Sequence, residues 1–319
     1  VYRDQTRVKV QHMLTEAMEN IAYENWYATL SCVDRNRIAA CQTDSAGVAL
    51  RVVPSCAGLR LTDSEFRFAV YLHLGIPHAK EPLLLCRCMK VALPDIQHLT
   101  SSCTMIKKAS NNQRHDHIVD FLITKAREPP TLAFGKEEHM SRKQKPQAAP
   151  RNESKTLAST RIANQLQPKP GLRPDLWIRW GSSEQRVWYD VQITSALAPS
   201  YLVQHPQPGQ AVERRGKSKV TQYRESAMLQ GDLFEPLIFE LRGGMGKPVL
   251  ELIKAMSNCI SKDPDLNRRW SEQTLELLAC ALARAVHSGY NRAYGETHAF
   301  LLKSNTNSIM LQATQCQQN

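Results

Sequence analysis

Arg173-Pro174-Asp175-Leu176-Trp177-Ile178-Arg179-Trp180-Gly181-Ser182-Ser183-Glu184-Gln185-Arg186-Val187-Trp188-Tyr189-Asp190-Val191-Gln192-Ile193-Thr194 is the stretch that decides the fold. Leu176–Trp180 and Val187–Thr194 are rich in aromatic and β-branched residues, and Gly181-Ser182-Ser183 lies between them. That pattern predicts a β-hairpin. Side chains on a strand alternate faces, so Asp190 and Gln192 point the same way. A turn centred near Ser183–Glu184 sets Asp175 almost opposite Gln192, with all three at one edge of the sheet. Two carboxylates at close range repel unless a cation joins them, and Mg²⁺ is a cation that can do so. The plainer reading makes Asp175 a turn residue after Pro174 and Asp190 an exposed strand residue. Against it, a charge inside the run Val187-Trp188-Tyr189-Asp190-Val191 is costly to bury without a partner.

Further elements extend in both directions. Downstream, Pro236–Leu241 reads as a buried strand before Gly243-Gly244. Pro248 then suits the first turn of a helix bearing Val249, Leu250, Leu252, Ile253 and Met256. Ser271 is placed to cap a last long helix through Leu275, Leu278, Leu282 and Val286, with a polar, frayed tail after Lys303. Upstream, Val8, Val10, Met13, Leu14, Ala17, Met18 and Ile21 recur at helical spacing. A second helix is expected from Asp63, as N-cap, to Gly75 and Pro77, and a third over 114–127. Residues 136–173 change character: lysine, arginine, glutamine, proline and serine crowd a stretch with few large apolar residues. This is the composition of a basic insert or linker.

A Cys/His group precedes the hairpin. Cys86, Cys88, His98 and Cys103 form Cys-x-Cys-x9-His-x4-Cys. Three thiolates and an imidazole are a tetrahedral zinc set, and four closed ligands leave no position for water, so such a centre is structural. The alternative is a pair of small buried cysteines with His98 in a loop. A second cluster follows the hairpin: Glu213, Arg214, Arg215, Lys217, Lys219 and Arg224. It reads either as a solvated helix face or as phosphate contacts with a lysine supplied to the acids.

The 319 residues carry 41 Lys and Arg against 30 Asp and Glu, a net +11. A basic surplus of this size suits a polyanion, most often nucleic acid. Nine cysteines, an odd number, are too few for a disulfide scaffold and suit a reducing compartment. No run of about 18 uncharged apolar residues predicts a membrane span, and no secretory leader is visible. The chain opens with Val1 rather than Met, which reads as a piece of a longer protein.

In their order, Cys-x-Cys…His-x4-Cys, Arg114-His115-Asp116, Arg173-Pro174-Asp175 and Asp190 resemble the C-terminal region of site-specific non-LTR retrotransposon proteins. There a zinc knuckle precedes a restriction-enzyme-like endonuclease of the PD-(D/E)XK fold. Arg173, Pro174 and Asp175, a gap of fourteen residues, and Asp190 match the family's Arg/Lys-Pro-Asp…acid motif. Lys217, Lys219 and Tyr223 resemble its downstream basic helix, and Phe234-Glu235-Pro236-Leu237 with Gly243-Gly244 its last strand and glycine turn. One position departs: the lysine two residues after the second acid is Gln192 here.

The resemblance implies an α/β, restriction-endonuclease-like core, a mixed central sheet flanked by helices. It divides the chain into a helical linker region (1–84), a knuckle (85–104), a nuclease domain (105–250) with the basic insert, and C-terminal helices with a polar tail (251–319). By it, Asp175 and Asp190 hold catalytic Mg²⁺, Gln192 orients the water or the metal, and Lys217 or Lys219 steadies the phosphate. Zn²⁺ on Cys86, Cys88, His98 and Cys103 is structural. Arg114, His115, Arg173, Arg214, Arg215 and Tyr223 contact nucleic acid. The expected partners are target DNA, the element's RNA and a reverse transcriptase domain upstream, in the nucleus. Two other readings stand beside it: a nucleic-acid-binding module with a degenerate nuclease fold, and a helical interaction protein, which fits the N-terminal helices and the last helix.

Overall fold

The computed structural model describes residues 2–76, 84–86, 88, 92–93, 98–103, 107–136 and 174–317; side chains are described for 9–76, 86, 88, 98–100, 103, 111–135 and 174–296. Pro77, Arg173 and the basic insert beyond Lys136 lie outside the described residues. The chain is mixed α/β. Eight α-helices run through the described residues: α1 (Tyr2–Thr29), α2 (Cys32–Cys41), α3 (Val48–Arg51), α4 (Asp63–Leu74), α5 (Lys107–Ala126), α6 (Gln210–Met228), α7 (Lys247–Ser257) and α8 (Pro264–Gln317). A small pair, β1 (Leu84–Leu85) and β2 (Ala92–Leu93), stands apart from a four-stranded sheet of β3 (Leu132–Lys136), β4 (Leu176–Trp180), β5 (Arg186–Thr194) and β6 (Leu233–Glu240).

The sheet order is β3-β4-β5-β6. The first three strands form an antiparallel meander, and β6 lies parallel to β5. A parallel neighbour needs a crossover, and α6 supplies it. Pro236 has no N–H to give to a ladder, and β6 is at the sheet's edge, where that is tolerated. Alternate residues sort the faces. Leu176, Ile178, Tyr189, Val191, Leu237 and Phe239 join the main core with Ile118, Val119 and Leu122 of α5. Trp177, Trp188 and Phe234 pack on Val220, Tyr223 and Ala227 of α6 instead. The sheet is thus sandwiched between α5 and α6. Gly135 of β3 lies under Trp177, whose ring would be 2.6 Å from an added Cβ.

The main core is continuous across most of the chain. It joins Phe68 and Leu72 of α4, Cys86 and Cys103, α5, the sheet, α7, and Leu278, Leu282 and Tyr290 of α8. Several boundaries move from their expected places. Thr62, not Asp63, caps α4: its hydroxyl accepts from Glu65 N while the Glu65 carboxylate accepts from Thr62 N. Gly75, at φ 73°, ends it in the left-handed region that glycine adopts without strain. The last helix starts at Pro264, a turn and more before Ser271, and its backbone stays helical to Gln317 rather than fraying after Lys303.

One buried polar node ties distant segments. Glu240, at the end of β6, pairs with Arg242 (Nη1–Oε1 3.3 Å), accepts from Arg242 N at 2.6 Å and from Ala196 N at 3.1 Å. Arg242 Nε donates to Leu72 O at 3.2 Å, fastening α4 to the sheet. Both side chains are essentially inaccessible to water. Breaking such a pair leaves an uncompensated charge at a cost of about 3–5 kcal/mol, so Arg242→Met should lower the urea-unfolding free energy by about that amount; a loss within about 0.5 kcal/mol would show the node to be dispensable. Beside it, burial holds the His73 imidazole below its ordinary pKa, against its Ala69 O contact at 2.7 Å. A depressed histidine is neutral when folded and takes up a proton on unfolding. Stability is therefore full above about pH 6.5 and declines as pH falls below it. In His73→Gln the fall between about pH 7 and pH 5 should be shallower than in the wild type.

Candidate functional site

Two groups of side chains stand out, one of thiols and imidazole, one of acids and cations. Cys86 follows β1 directly and Cys88 lies two residues on. His98 and Cys103 bracket a single π-helical turn, His98–Ser102, closed by Cys103 N–H donating to His98 O at 2.8 Å. In an α-helix, residues five apart diverge by about 140°. The i→i+5 bond of a π turn brings them onto one side, and such turns concentrate at functional sites. The donor atoms of Cys86, Cys88, His98 and Cys103 all lie within 4.8 Å of one another. Cys86 Sγ and Cys103 Sγ are 3.5 Å apart, and Cys88 Sγ and His98 Nε2 3.2 Å. Two thiolates on one tetrahedral zinc stand about 3.8 Å apart, from Zn–S bonds near 2.3 Å. Burial, with the neighbouring thiols adding to it, pushes the Cys86 thiol up to about 12. A thiolate in so apolar a place needs a cation on it. The cluster can thus hold a metal such as zinc, closed on four protein ligands. Because Cys86 and Cys103 belong to the main core, loss of the metal should loosen more than the β1–β2 pair.

The acidic group sits where β4 begins and β5 passes the middle of the sheet. The β4–β5 register pairs Leu176 with Tyr189 and Arg179 with Arg186. The turn is thus centred one residue earlier than its composition suggests, and Asp175 comes against Asp190 rather than Gln192. Asp175 N–H donates to Tyr189 O at 2.9 Å, and its Oδ2 accepts from Val191 N at 2.6 Å. The same Oδ2 is 2.9 Å from His115 Nε2, while His115 Nδ1 is 3.0 Å from Asp116 Oδ1. Burial disfavours the imidazolium, but the two carboxylates outweigh it and raise His115 to about 9. Asp190 is 5% exposed and pairs with Lys219, Nζ–Oδ2 2.8 Å. Burial raises its pKa, Lys219 opposes that, and the charge of Asp175 adds to the rise. Gln192 Oε1 accepts from Arg215 Nε at 2.7 Å.

Arg215, Lys219 and Tyr223 are four residues apart, so they share one face of α6, turned to the sheet. Tyr223 is buried, stacked on Phe234 at 4.8 Å, with its hydroxyl hydrogen-bonded to Asp190; burial and that acid hold the phenol above its ordinary pKa. Lys219 Nζ lies 5.2 Å from the Tyr223 ring. Of the residues expected to touch nucleic acid, His115, Arg215 and Tyr223 instead converge on the acids. Arg114 does not reach the surface. It is 3% exposed, donates to Asn111 Oδ1, and burial lowers its pKa to about 10. Arg214 points away, over the Tyr201 ring at 5.7 Å. Lys217 is two residues from both Arg215 and Lys219, hence on another face of α6. It lines a pocket of about 450 Å³ between α6 and β6 with Glu213, Glu235 and Lys247. Of the two lysines, Lys219 meets the acids and Lys217 does not.

No protein-family model and no curated protein matches this chain.

Purified without chelator, the protein should carry one zinc per chain by elemental analysis. Cys103→Ser, or prolonged chelation, should remove it and lower the unfolding midpoint by roughly 5–10 °C, given about 2–4 °C per kcal/mol for a chain of this size. A metal-free protein with an unchanged melting curve would refute the centre.

Proposed function

We propose that this chain is a metal-dependent DNA endonuclease module of a retroelement, which nicks target DNA and leaves a 3′-hydroxyl for reverse transcription. The observation that carries the proposal is that the β4–β5 register sets Asp175 against Asp190, with Lys219 on Asp190 and Arg215 on Gln192, just downstream of a Cys/His group. The helix–strand–strand–strand–helix–strand order of α5, β3, β4, β5, α6 and β6 supports a restriction-endonuclease-like core, as does the flanking of the sheet by α5 and α6.

On this reading Asp175 and Asp190 hold Mg²⁺. They fit as hard oxygen donors opposed across the β4–β5 register, and each has a cationic neighbour: His115 at one, Lys219 at the other. When bound, Mg²⁺ would lower the pKa of a water and stabilise charge on the phosphodiester. The chain's own residues do the rest. Lys219 comes from α6 instead of from β5, and its ammonium places positive charge where the scissile phosphate gathers negative charge. Gln192, held by Arg215, offers a fixed amide to orient a water. Val191 N and His115 fix the Asp175 carboxylate. The basic surplus supplies salt-sensitive attraction to the phosphate backbone. A specific feature favours the second reading, a degenerate nucleic-acid-binding module: Gln192 stands where the family carries lysine, and both acids already have cationic partners.

Supercoiled plasmid, incubated with Mg²⁺ or with EDTA, separates the two. A nuclease predicts Mg²⁺-dependent nicking that Asp175→Ala and Asp190→Asn abolish while DNA binding persists. Lys219→Met should slow nicking about 10²–10³-fold, the usual scale for loss of one oriented charge-stabilising donor. Lys217→Met should cut at close to the wild-type rate. Binding without nicking across metals and salt would leave the binding module standing and remove the nuclease.

A further inference from the structure

Among the described residues, α1 has little support from the rest of the chain. From Lys9 to Trp26 its side chains are exposed, and the helix touches the body near its C-terminal end, where Gln42 donates to Tyr23 Oη at 2.9 Å. Most helical stability in proteins comes from packing an apolar face, and from Lys9 to Trp26 this helix packs none. Its large apolar residues are turned to solvent: Leu14 is 61% exposed, Met18 72% and Ile21 62%. At about 100° per residue, Val10, Leu14, Ala17 and Ile21 fall within about 60° of one another, and Met13 and Met18 flank them. The 4-3-4 spacing is that of a coiled-coil seam. Beyond Ile21 the apolar side chains Tyr23, Trp26 and Tyr27 turn to other faces, and Tyr27 joins the body through Arg35 O. The stripe is therefore a bounded patch of about three turns, of the kind that marks a protein–protein contact.

We propose that this stripe is a self-association site, on which α1 of a second copy of this chain packs antiparallel. Charge selects both partner and direction. The first turns carry Arg3, Arg7 and Lys9 against Asp4, whereas the rest of the helix carries Glu16, Glu19 and Glu24 and no lysine or arginine. A parallel pair sets like charges together; an antiparallel pair sets the basic end of each helix beside the acidic end of the other. The apolar pattern obeys the same symmetry. A two-fold axis between Thr15 and Glu16 sets Val10 against Ile21, Met13 against Met18, and Leu14 against Ala17. The surface is isologous, so the assembly closes as a dimer. With three such layers on either side of the axis, the dimer is weak and reversible.

Sedimentation of the full chain through the micromolar range should show a monomer–dimer equilibrium. Leu14→Glu and Ile21→Glu each bury a charge in the seam and should weaken it about tenfold or more, at an unchanged melting midpoint because both sites are exposed in the monomer. Direction is read by crosslinking. A mixture of Val10→Cys and Ile21→Cys should give an oxidised dimer that neither variant gives alone beyond the wild-type background. A wild-type chain monomeric throughout, or a dimer indifferent to Leu14→Glu, overturns the proposal. Crosslinking of Val10→Cys to itself overturns the antiparallel register.

Discussion

The central strand β5 carries an aspartate into a place almost closed to water, and much of the structure answers to that. Asp190 has three choices: to lose its charge, to meet a metal, or to be given a cation. Burial favours the first, and Lys219 at 2.8 Å provides the third. A lysine can reach β5 only if α6 runs across it, and α6 can do so only as the crossover between two parallel strands. The ion pair therefore fixes the azimuth of α6, as the Trp188–Tyr223–Phe234 cluster fixes its distance from the sheet. Replacing a buried pair with apolar residues is often neutral or stabilising, so stability alone is a poor reason to keep it.

A second polar node plays a different part. Glu240 and Arg242 bind the backbone of Arg242 itself, of Ala196 and of Leu72, segments far apart in the chain. Nothing about them is aimed outward, and their effect is to hold α4 against the end of the sheet. The Cys/His group lies in the same continuous core. A metal there would be both a local clamp on the Cys/His segment and a strut for α5, whose residues place His115 against Asp175. The thiol site and the acid site are thus mechanically linked through one helix.

Much of this was legible from local pattern. The β4–β5 hairpin follows from aromatic and β-branched runs around Gly181, and α7 from Pro248 and its apolar face. The Cys/His spacing pointed to ligands that the fold brings together. What local pattern misses is depth and register. The hairpin composition cannot fix the turn centre to one residue, and that shift changes the partner of Asp175 from Gln192 to Asp190. Arg114 reads as a surface cation because most arginines are; only the packing of α5 shows it to be enclosed. The periodicity of Val10 to Ile21 is real, but periodicity says that a face is apolar, not that this chain covers it. The Glu240–Arg242 node depends on contacts across 170 residues and leaves no local trace.

The clearest missed signal lies within α6. Arg214, Arg215, Lys217 and Lys219 read as one basic cluster, yet a helix distributes them around its circumference. Counting in fours from Tyr223 selects Lys219 and Arg215 and rejects Lys217, and the structure sorts them so. The same count bears on Gln192. β5 itself carries no lysine, but the helix above it supplies two cations at the same level of the sheet: Lys219 over Asp190, and Arg215 over Gln192. Positive charge at a reacting phosphate is a matter of where the charge ends up, not of which backbone carries it. On the proposed reading, a glutamine at 192 is therefore weak grounds against catalysis. Asp190 is buried and Asp175, Arg215 and Lys219 are partly so, and holding these charges together costs solvation that their mutual pairing offsets.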